Sequence, residues 1–235
     1  MMSRWVGWGT SLLLVAALGG CAKSPPGGVS GIVSNRLVFD WIVQGFVRDQ
    51  FYYYVAIDDD ENSSTGPIPV IGPPFGNGWG TGSFTLSVEY HAGQYRLLRH
   101  TKNPDGTISS GTVVPTGLIN AIPPRQLGGD EFRFELDINQ LIAQGFLRDA
   151  RTLDINFIIT DQINVNPNAG FKTFDGLGRT GNVYVTIPFQ VNGTFDNGTT
   201  GAEAEDVQDV VNCFQIDGCP DLDIADWSIE VQRSR

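Results

Sequence analysis

The segment that decides the fold class is Phe132-Arg133-Phe134-Glu135-Leu136-Asp137-Ile138, in which large apolar side chains alternate with charged ones. Successive side chains of a β-strand point to opposite faces, so this period of two predicts a strand with one face on a core. The same alternation recurs over Phe84–His91, Leu153–Thr160 and Val183–Val191. Four such segments predict an all-β protein.

Four further strands are predicted around these segments, and turn-rich linkers separate them. They are Leu37–Val43, Phe51–Ile57, Tyr95–Thr101 and Trp227–Val231. This number of short strands predicts one antiparallel β-sandwich of the immunoglobulin or jelly-roll kind over residues 35–235. Two short helices are expected to interrupt it, over Asp137–Leu147 and Thr200–Phe214, the second with acidic residues in its first turn.

The composition narrows the classes of protein to consider. The chain of 235 residues has 26 acidic and 15 basic side chains, a formal charge of −11, which argues against a nucleic-acid partner. Only 17% of residues are charged and 41% are hydrophobic, so the chain is not of the disordered class. The 29 glycines and 13 prolines suit short strands and many turns.

The N-terminus reads as a secretion signal. The apolar run Leu12–Leu18 is too short to span a membrane as a helix and ends in Leu18-Gly19-Gly20-Cys21. This motif resembles the lipobox of bacterial lipoproteins. The resemblance implies that residues 1–20 are a signal peptide, that Cys21 is lipidated, and that residues 21–34 are a flexible tether to the domain. An ordinary signal peptide that happens to precede a cysteine is the alternative.

The lipid would attach the protein to a membrane of the cell envelope, since two or more acyl chains give stable anchoring. Ala22 and Lys23 follow Cys21, so the aspartate that retains enteric lipoproteins in the inner membrane is missing. By that resemblance we expect the outer membrane in a cell with two membranes. In a cell with one membrane we expect the outer face of the plasma membrane.

The remaining cysteines, Cys213 and Cys219, lie close together near the C-terminus. Outside the cytoplasm such a pair predicts a disulfide that closes a small loop. The only histidines, His91 and His100, are far away in sequence, which disfavours a metal site at these cysteines.

Two acidic groups make calcium a candidate cofactor, because this ion takes six to eight oxygen ligands in irregular loops. The first group follows the aromatic strand in Asp58-Asp59-Asp60-Glu61-Asn62, and the second surrounds the Cys219-Pro220 bend. The candidate ligands are Asp58, Asp60, Asp217, Asp221 and Asp223. A solvated turn would account for the first group, and solvent screening together with the helix dipole for the second.

Aromatic side chains provide the stronger functional indication. Phe51–Tyr54 has large rings on both faces of one strand, and Trp79 lies in a loop of small residues that could leave its indole accessible. A flat ring beside carboxylates suits a sugar, which stacks its apolar face and bonds through its hydroxyls. Trp79, Tyr53 and Asp59 are therefore the predicted ligand-binding residues. Packing of Trp79 against the sheet edge is the alternative.

Two weaker resemblances rest on pattern. The aromatic strand that runs into Asp58–Asn62 and then Ser64-Thr65-Gly66 resembles the calcium-loop region of some bacterial surface β-sandwiches. The order of Phe132–Ile138, a short helix and Leu153–Asp161 resembles the group of DOMON domains and family 9 carbohydrate-binding modules. Those domains bind sugars or haem. Haem is disfavoured, because residues 21–235 contain no methionine to serve as an axial ligand.

Three functions follow from these features. The favoured one is a non-catalytic, lipid-anchored module that binds a polysaccharide. The second is a structural or assembly lipoprotein that holds an envelope protein through an apolar patch or an uncovered sheet edge. The third is a small glycan-acting enzyme with paired carboxylates. Motifs for other catalysis are missing: the chain has no Gly-x-Ser-x-Gly string and only two histidines.

Overall fold

A computed structural model describes residues 35–73, 75–114, 117–163, 172–178, 180–198, 210–213 and 218–234. These residues belong to one compact unit, Val33–Arg235. The predicted signal peptide, Cys21 and the tether lie outside the described residues. Asp217 and most of the helix predicted over residues 200–214 lie outside them as well.

The described parts of the chain form fourteen β-strands and one α-helix. In chain order they are β1 (Arg36–Val43), β2 (Tyr52–Asp58), β3 (Pro67–Pro69), β4 (Gly80–Gly82), β5 (Leu86–His91), β6 (Gln94–Arg99), β7 (Thr112–Val113), β8 (Ile119–Ile122), β9 (Glu131–Asp137), α1 (Ile138–Ala143), β10 (Thr152–Thr160), β11 (Phe174–Gly176), β12 (Val185–Pro188), β13 (Gly193–Asp196) and β14 (Ile224–Gln232).

Two antiparallel sheets face each other. The five-stranded sheet has the order β13-β14-β1-β9-β8, and the seven-stranded sheet has the order β11-β10-β2-β5-β6-β7, with β12 also paired to β10. In the first sheet Trp41 lies opposite both Trp227 and Phe132. In the second, Ile57 lies opposite Ile155. The all-β, sandwich-like prediction is confirmed.

The main core lies between the two sheets and explains the alternation of the decisive segment. In β9 every second side chain is buried, and Phe132, Phe134 and Leu136 enter this core. Phe39 of β1 stacks on Phe134 with ring centroids 4.9 Å apart. The remaining side chains of β9 face outward, as a half-buried strand requires.

Three strands of the seven-stranded sheet, β2, β5 and β10, depart from that expectation, because they are buried on both faces. In β10 eight of nine residues are buried, so the prediction of a half-buried strand there is wrong. The reason is an additional layer, residues 59–73 and 75–85, which contains the β3–β4 hairpin and which we term the cover. A second apolar cluster joins it to the outer face of the sheet. Its buried members are Tyr54, Ala56, Trp79, Phe84, Ile108 and Ile158.

The shorter elements differ from their predicted lengths for local reasons. The strand expected over Val183–Val191 is only β12, which ends at Pro188, a residue without a backbone N–H. The helix expected over Asp137–Leu147 is only α1. Asp137 caps its first turn by accepting a hydrogen bond from the Gln140 N–H at 3.1 Å. Gly145, with φ of 88°, follows the helix in the left-handed conformation that commonly ends helices.

Candidate functional site

The indole of Trp79 is buried, so the expectation of an accessible ring is wrong. Its side chain is 1% exposed. The ring stacks on Tyr54 with centroids 3.8 Å apart and 3° between the planes, and it contacts Phe84 at 5.0 Å. The loop of small residues folds back onto the sheet, where burial of this large ring stabilises the cover. The position of Trp79 therefore agrees with the alternative interpretation, in which this residue packs against the sheet and anchors its loop.

Tyr53 lies in the core between the two sheets and meets Trp41 edge-on, with centroids 6.3 Å apart. Its hydroxyl accepts a hydrogen bond from the Arg48 N–H at 2.9 Å and donates to the Asp221 carbonyl at 3.1 Å. Burial raises the pKa of this phenol well above its ordinary value. The ring therefore offers no face to a ligand.

Asp59 is half-buried and connects two segments. One carboxylate oxygen accepts from the Thr85 hydroxyl at 2.8 Å, and the other accepts from the Leu147 N–H at 2.9 Å. Trp79 lies on the outer face of the seven-stranded sheet and Tyr53 on its inner face. The structure thus does not bring the three predicted ligand-binding residues together on one surface.

The predicted metal ligands near the C-terminus have structural partners. The buried carboxylate of Asp221 accepts from the Phe46 N–H and from Arg48 Nε, each at 2.7 Å. The carbonyl of Asp223 accepts from the Gln44 N–H at 2.9 Å. Asp217 lies outside the described residues. Both described aspartates help to hold the segment that follows β1.

Asp58 and Asp60 lie at the opposite end of β2 from Asp221, because Asp221 contacts Tyr53 at the start of this strand. A strand of seven residues separates the two acidic groups by about 20 Å. Among the described residues, no group of three or more His, Cys, Asp or Glu side chains is arranged to hold a metal ion. The two predicted acidic groups therefore do not form one shared site.

Asp58 has an unusual environment. It is 1% exposed, and neither of its carboxylate oxygens has a hydrogen-bond partner. Asp154 of β10 lies directly opposite it in the strand register and is also buried. The pKa of Asp58 is raised to about 6, mainly by burial and also by the negative charges of Asp60, Asp59 and Asp154, against the opposing effect of the nearby Ser83 hydroxyl. We refer to Asp58 and Asp154 as the acidic pair.

The surroundings of the acidic pair are rich in oxygen atoms. Thr186 of β12 donates a short hydrogen bond to the Asp154 carboxylate, and burial raises the pKa of Asp154. Ser83 donates to Asp60 at 3.0 Å, and Asp60 also accepts from the Asn62 N–H at 2.7 Å. Sequence reasoning missed Asp154, because nothing in a single sequence states which residue of β10 faces Asp58. The only available signal was that Asp154 is the single charged residue of this strand.

A groove of about 540 Å³ lies along the hairpin of the cover, and we term it the cover groove. Its lining combines aliphatic side chains with hydroxyl, amide and carboxylate groups. Its lining includes Ile68, Val70, Ile71, Thr81, Asp105, Thr107, Thr180 and Asn182. Ile71 is 73% exposed at its rim. The Asp105 carboxylate accepts from the Thr107 N–H at 2.9 Å and from its hydroxyl at 2.7 Å, which orders one wall.

A second groove, of about 260 Å³, opens where β7 of one sheet and β8 of the other approach the same side of the sandwich. We term it the edge groove. Its apolar lining includes Tyr95, Leu97, Val113, Val114, Leu118 and Ile119. Val113 is 55% exposed there.

Cys213 and Cys219 are joined, with 5.6 Å between their Cα atoms, so the predicted disulfide is confirmed. A 3₁₀ helix, Cys219–Leu222, begins at the second cysteine and carries Asp221. The disulfide therefore holds the segment that supplies the partner of Arg48 and Tyr53.

Comparison with known proteins gave no match: no protein-family model, no curated protein and no solved structure is similar to the chain. Within the described residues, no helix has the length and apolar character needed to cross a membrane.

Proposed function

We propose that this chain is a lipid-anchored, non-catalytic protein of the bacterial cell envelope that binds a carbohydrate in the cover groove. The anchor part rests on Leu18-Gly19-Gly20-Cys21, placed after a short apolar run and before a β-sandwich. Acylation of Cys21 would attach the domain to the outer membrane of a two-membrane cell, or to the outer face of a single membrane.

The mixed lining of the cover groove is the observation that supports carbohydrate binding. A sugar presents apolar ring faces between hydroxyl groups, so it needs apolar surface and hydrogen-bonding groups side by side. Ile68 and Ile71 supply the first, and Asp105, Thr180 and Asn182 supply the second. A volume of about 540 Å³ lies within the range of small-molecule sites.

Trp79 supports this groove from beneath instead of contacting the ligand. Its carbonyl accepts a hydrogen bond from the N–H of Val70 at 2.9 Å, and Val70 lines the groove. Because the indole is stacked on Tyr54, it fixes the hairpin that carries the lining residues. We therefore propose that the ligand binds on the outer side of the loop that contains Trp79, and not on the indole ring itself.

The test is affinity electrophoresis of the full chain in detergent, through gels that contain a panel of envelope and plant polysaccharides. We expect retardation in at least one gel and at least a tenfold weaker affinity for Asn182→Ala, which removes one lining amide. Asn120→Ala removes an exposed amide from β8, outside the groove, and should keep the wild-type mobility. Unretarded wild-type protein in every gel, or equal retardation of Asn182→Ala, would contradict the proposal.

A protein partner in the envelope is the second candidate function, and the edge groove is the observation that favours it. Extended peptides can add to an exposed sheet edge through backbone hydrogen bonds. Val113, exposed on the two-residue strand β7, lies where such a peptide would begin to pair. Val113→Lys should then abolish crosslinking to an envelope protein while leaving polysaccharide retardation unchanged.

A further inference from the structure

The starting point is an energetic problem at Asp58. A buried carboxylate normally accepts several hydrogen bonds, because removing its charge from water without compensation is costly. Asp58 has none, although it is 1% exposed. The cover passes over it, so bulk water does not solvate it either. A cation bound from outside the polypeptide would compensate the charged form of this carboxylate.

Neighbouring negative charges destabilise the charged form of Asp58 further. Asp154 faces Asp58 across the β2–β10 ladder, and Asp60 and Glu61 follow Asp58 in the chain. Like charges directly opposite each other destabilise a sheet. None of the four ion pairs formed by the described residues involves a residue of this group. These carboxylates therefore carry the negative charge that a cation site needs, and none of those ion pairs neutralises it.

We propose that Asp58 and Asp154 bind a calcium ion between the end of β2, β10 and the start of the cover. The two carboxylates supply the charge. The hydroxyl groups of Thr186 and Ser83, which donate hydrogen bonds to Asp154 and Asp60, offer neutral oxygen atoms beside them, and water completes the shell.

The chemistry of the donors selects the ion. Every donor is a hard oxygen atom, whereas zinc sites in proteins use mainly sulfur and nitrogen ligands. Magnesium demands near-ideal octahedral geometry, while calcium accepts six to eight oxygen atoms in irregular arrangements. Two carboxylates are few for a calcium site. We therefore expect a dissociation constant in the range of extracellular modules, about 10⁻⁴ to 10⁻³ M.

An ion can enter this site from solvent, and its binding would link separate parts of the fold. Asp60 and Thr186 are exposed, so an ion can reach the acidic pair from this side. Bound calcium would join β2, β10 and the first residues of the cover, and would remove the repulsion between the two strands. This proposal goes beyond carbohydrate binding, and it can hold whether or not a glycan binds.

The test is calorimetric titration of the full chain in detergent, after metal has been removed with EDTA. We expect saturable binding of one calcium ion per chain and a rise in Tm of a few degrees at saturation. Magnesium should bind at least tenfold more weakly. Asp58→Asn, which keeps the shape and removes the charge, should weaken calcium binding at least tenfold.

Controls separate loss of the site from loss of the fold. Glu230→Gln removes a charge from β14 in the other sheet and should leave the affinity unchanged. In EDTA, Asp58→Asn should be at least as stable as the wild type, because it removes an uncompensated charge. Asp154→Asn provides a second variant if Asp58→Asn does not fold. No heat at about 10 mM calcium, roughly ten times the upper expected dissociation constant, or wild-type affinity in Asp58→Asn would overturn the proposal.

Discussion

Trp79 illustrates at the residue scale how a side chain can suggest a ligand site and instead belong to a core. Because its ring is stacked on Tyr54 and packed against Phe84, Trp79→Ala should lower the free energy of unfolding by about 3–5 kcal/mol. Ile71→Ala, at the exposed rim of the cover groove, should change it by less than about 0.5 kcal/mol. Equilibrium urea unfolding of both variants measures these effects. Equal stability of Trp79→Ala and the wild type would mean that the indole is not a packing residue.

His100 gives a prediction about pH. Its Nε2 lies 2.8 Å from the Ser87 hydroxyl and its Nδ1 lies 2.9 Å from the Ser109 carbonyl. Burial lowers the pKa of this imidazole below its ordinary value of 6.5, against smaller opposing effects of Ser109 and Glu89. Because the unfolded chain then binds the proton more readily, the contribution of His100 to stability is complete above pH 6.5. It is lost as the pH falls from there toward the lowered pKa.

The measurement compares the wild type with His100→Gln, which cannot titrate. The wild type should lose more stability than the variant between about pH 8 and about pH 5. Carboxyl groups with raised pKa values titrate in the same range, so the difference between the two proteins is the informative quantity. Parallel curves for the wild type and His100→Gln would contradict this account.

At this scale the sequence shows which residue types a candidate site can contain, but it does not show how deeply they are buried or which residues they contact. The acidic residue Asp58 was predicted as a calcium ligand, but its burial and its partner Asp154 depend on the register between β2 and β10. Trp41 and Trp227, which lie within the predicted strands Leu37–Val43 and Trp227–Val231, are both buried. Trp79 lies in a loop, whose path a period of two does not describe.

At the scale of elements, one hexapeptide occurs twice. Gln44–Asp49 and Gln144–Asp149 share five of six residues, and duplication or chance could explain the match from sequence alone. Each copy lies where the chain passes from the five-stranded to the seven-stranded sheet, between β1 and β2 in one case and between α1 and β10 in the other. The copies nevertheless differ in their contacts at equivalent positions, since the Phe46 N–H donates to the Asp221 carboxylate and the Phe146 N–H donates to the Leu141 carbonyl.

The two glycines of this hexapeptide should respond differently to substitution. A Cβ atom at Gly45 would lie 2.8 Å from the Asp221 N atom and from the Pro220 carbonyl carbon, so Gly45→Ala should cost about 2–3 kcal/mol. At Gly145 a Cβ atom has no neighbour within 4 Å, but φ is 88°, so Gly145→Ala should cost about 1–2 kcal/mol through the backbone.

Substitution by asparagine distinguishes the steric cost expected at Gly45 from the backbone-conformation cost expected at Gly145. It tolerates positive φ better than alanine, so Gly145→Asn should cost less than Gly145→Ala. At Gly45 the larger side chain should cost more than alanine, because space and not conformation is limiting. Thermal unfolding of the four variants gives the order. The same order at both positions would contradict the assignment of one steric and one conformational glycine.

Strand length decides which elements the sequence can predict. The eight predicted strands each have a counterpart in the structure, among them β1, β9 and β14. Six short strands, of two to four residues, were not predicted, because a period of two needs a longer segment to stand out. They are β3, β4, β7, β8, β11 and β13. Two of them form the hairpin that carries the cover groove.

At the scale of the whole molecule, the proposed lipid anchor depends on the sulfur atom of Cys21. In a bacterial host, the mature N-terminal peptide should begin at Cys21 and carry diacylglycerol on this sulfur. Cys21→Ser should release the protein from the membrane fraction into the soluble fraction, because the acyl chains are then missing. Peptide mass spectrometry and fractionation measure both effects. An unmodified N-terminus in the wild type would contradict the lipoprotein assignment.

The sequence predicted the sandwich but not the cover. The cover consists of 26 described residues with only two short strands, and a loop of glycines and prolines has no periodic signal. Its effect is visible only in three dimensions, where it buries the outer face of β2, β5 and β10. Both proposed sites, the cover groove and the acidic pair, depend on this layer.

Hydrogen–deuterium exchange is the most direct test of the proposal that a carbohydrate binds in the cover groove. The full chain is measured with and without the envelope polysaccharide fraction of the bacterium that makes it. The account predicts slower exchange at residues 68–73, 105–107 and 180–182, and unchanged exchange in β9. Slower exchange confined to residues 112–114 and 117–122 of the edge groove, or no change anywhere, would contradict it.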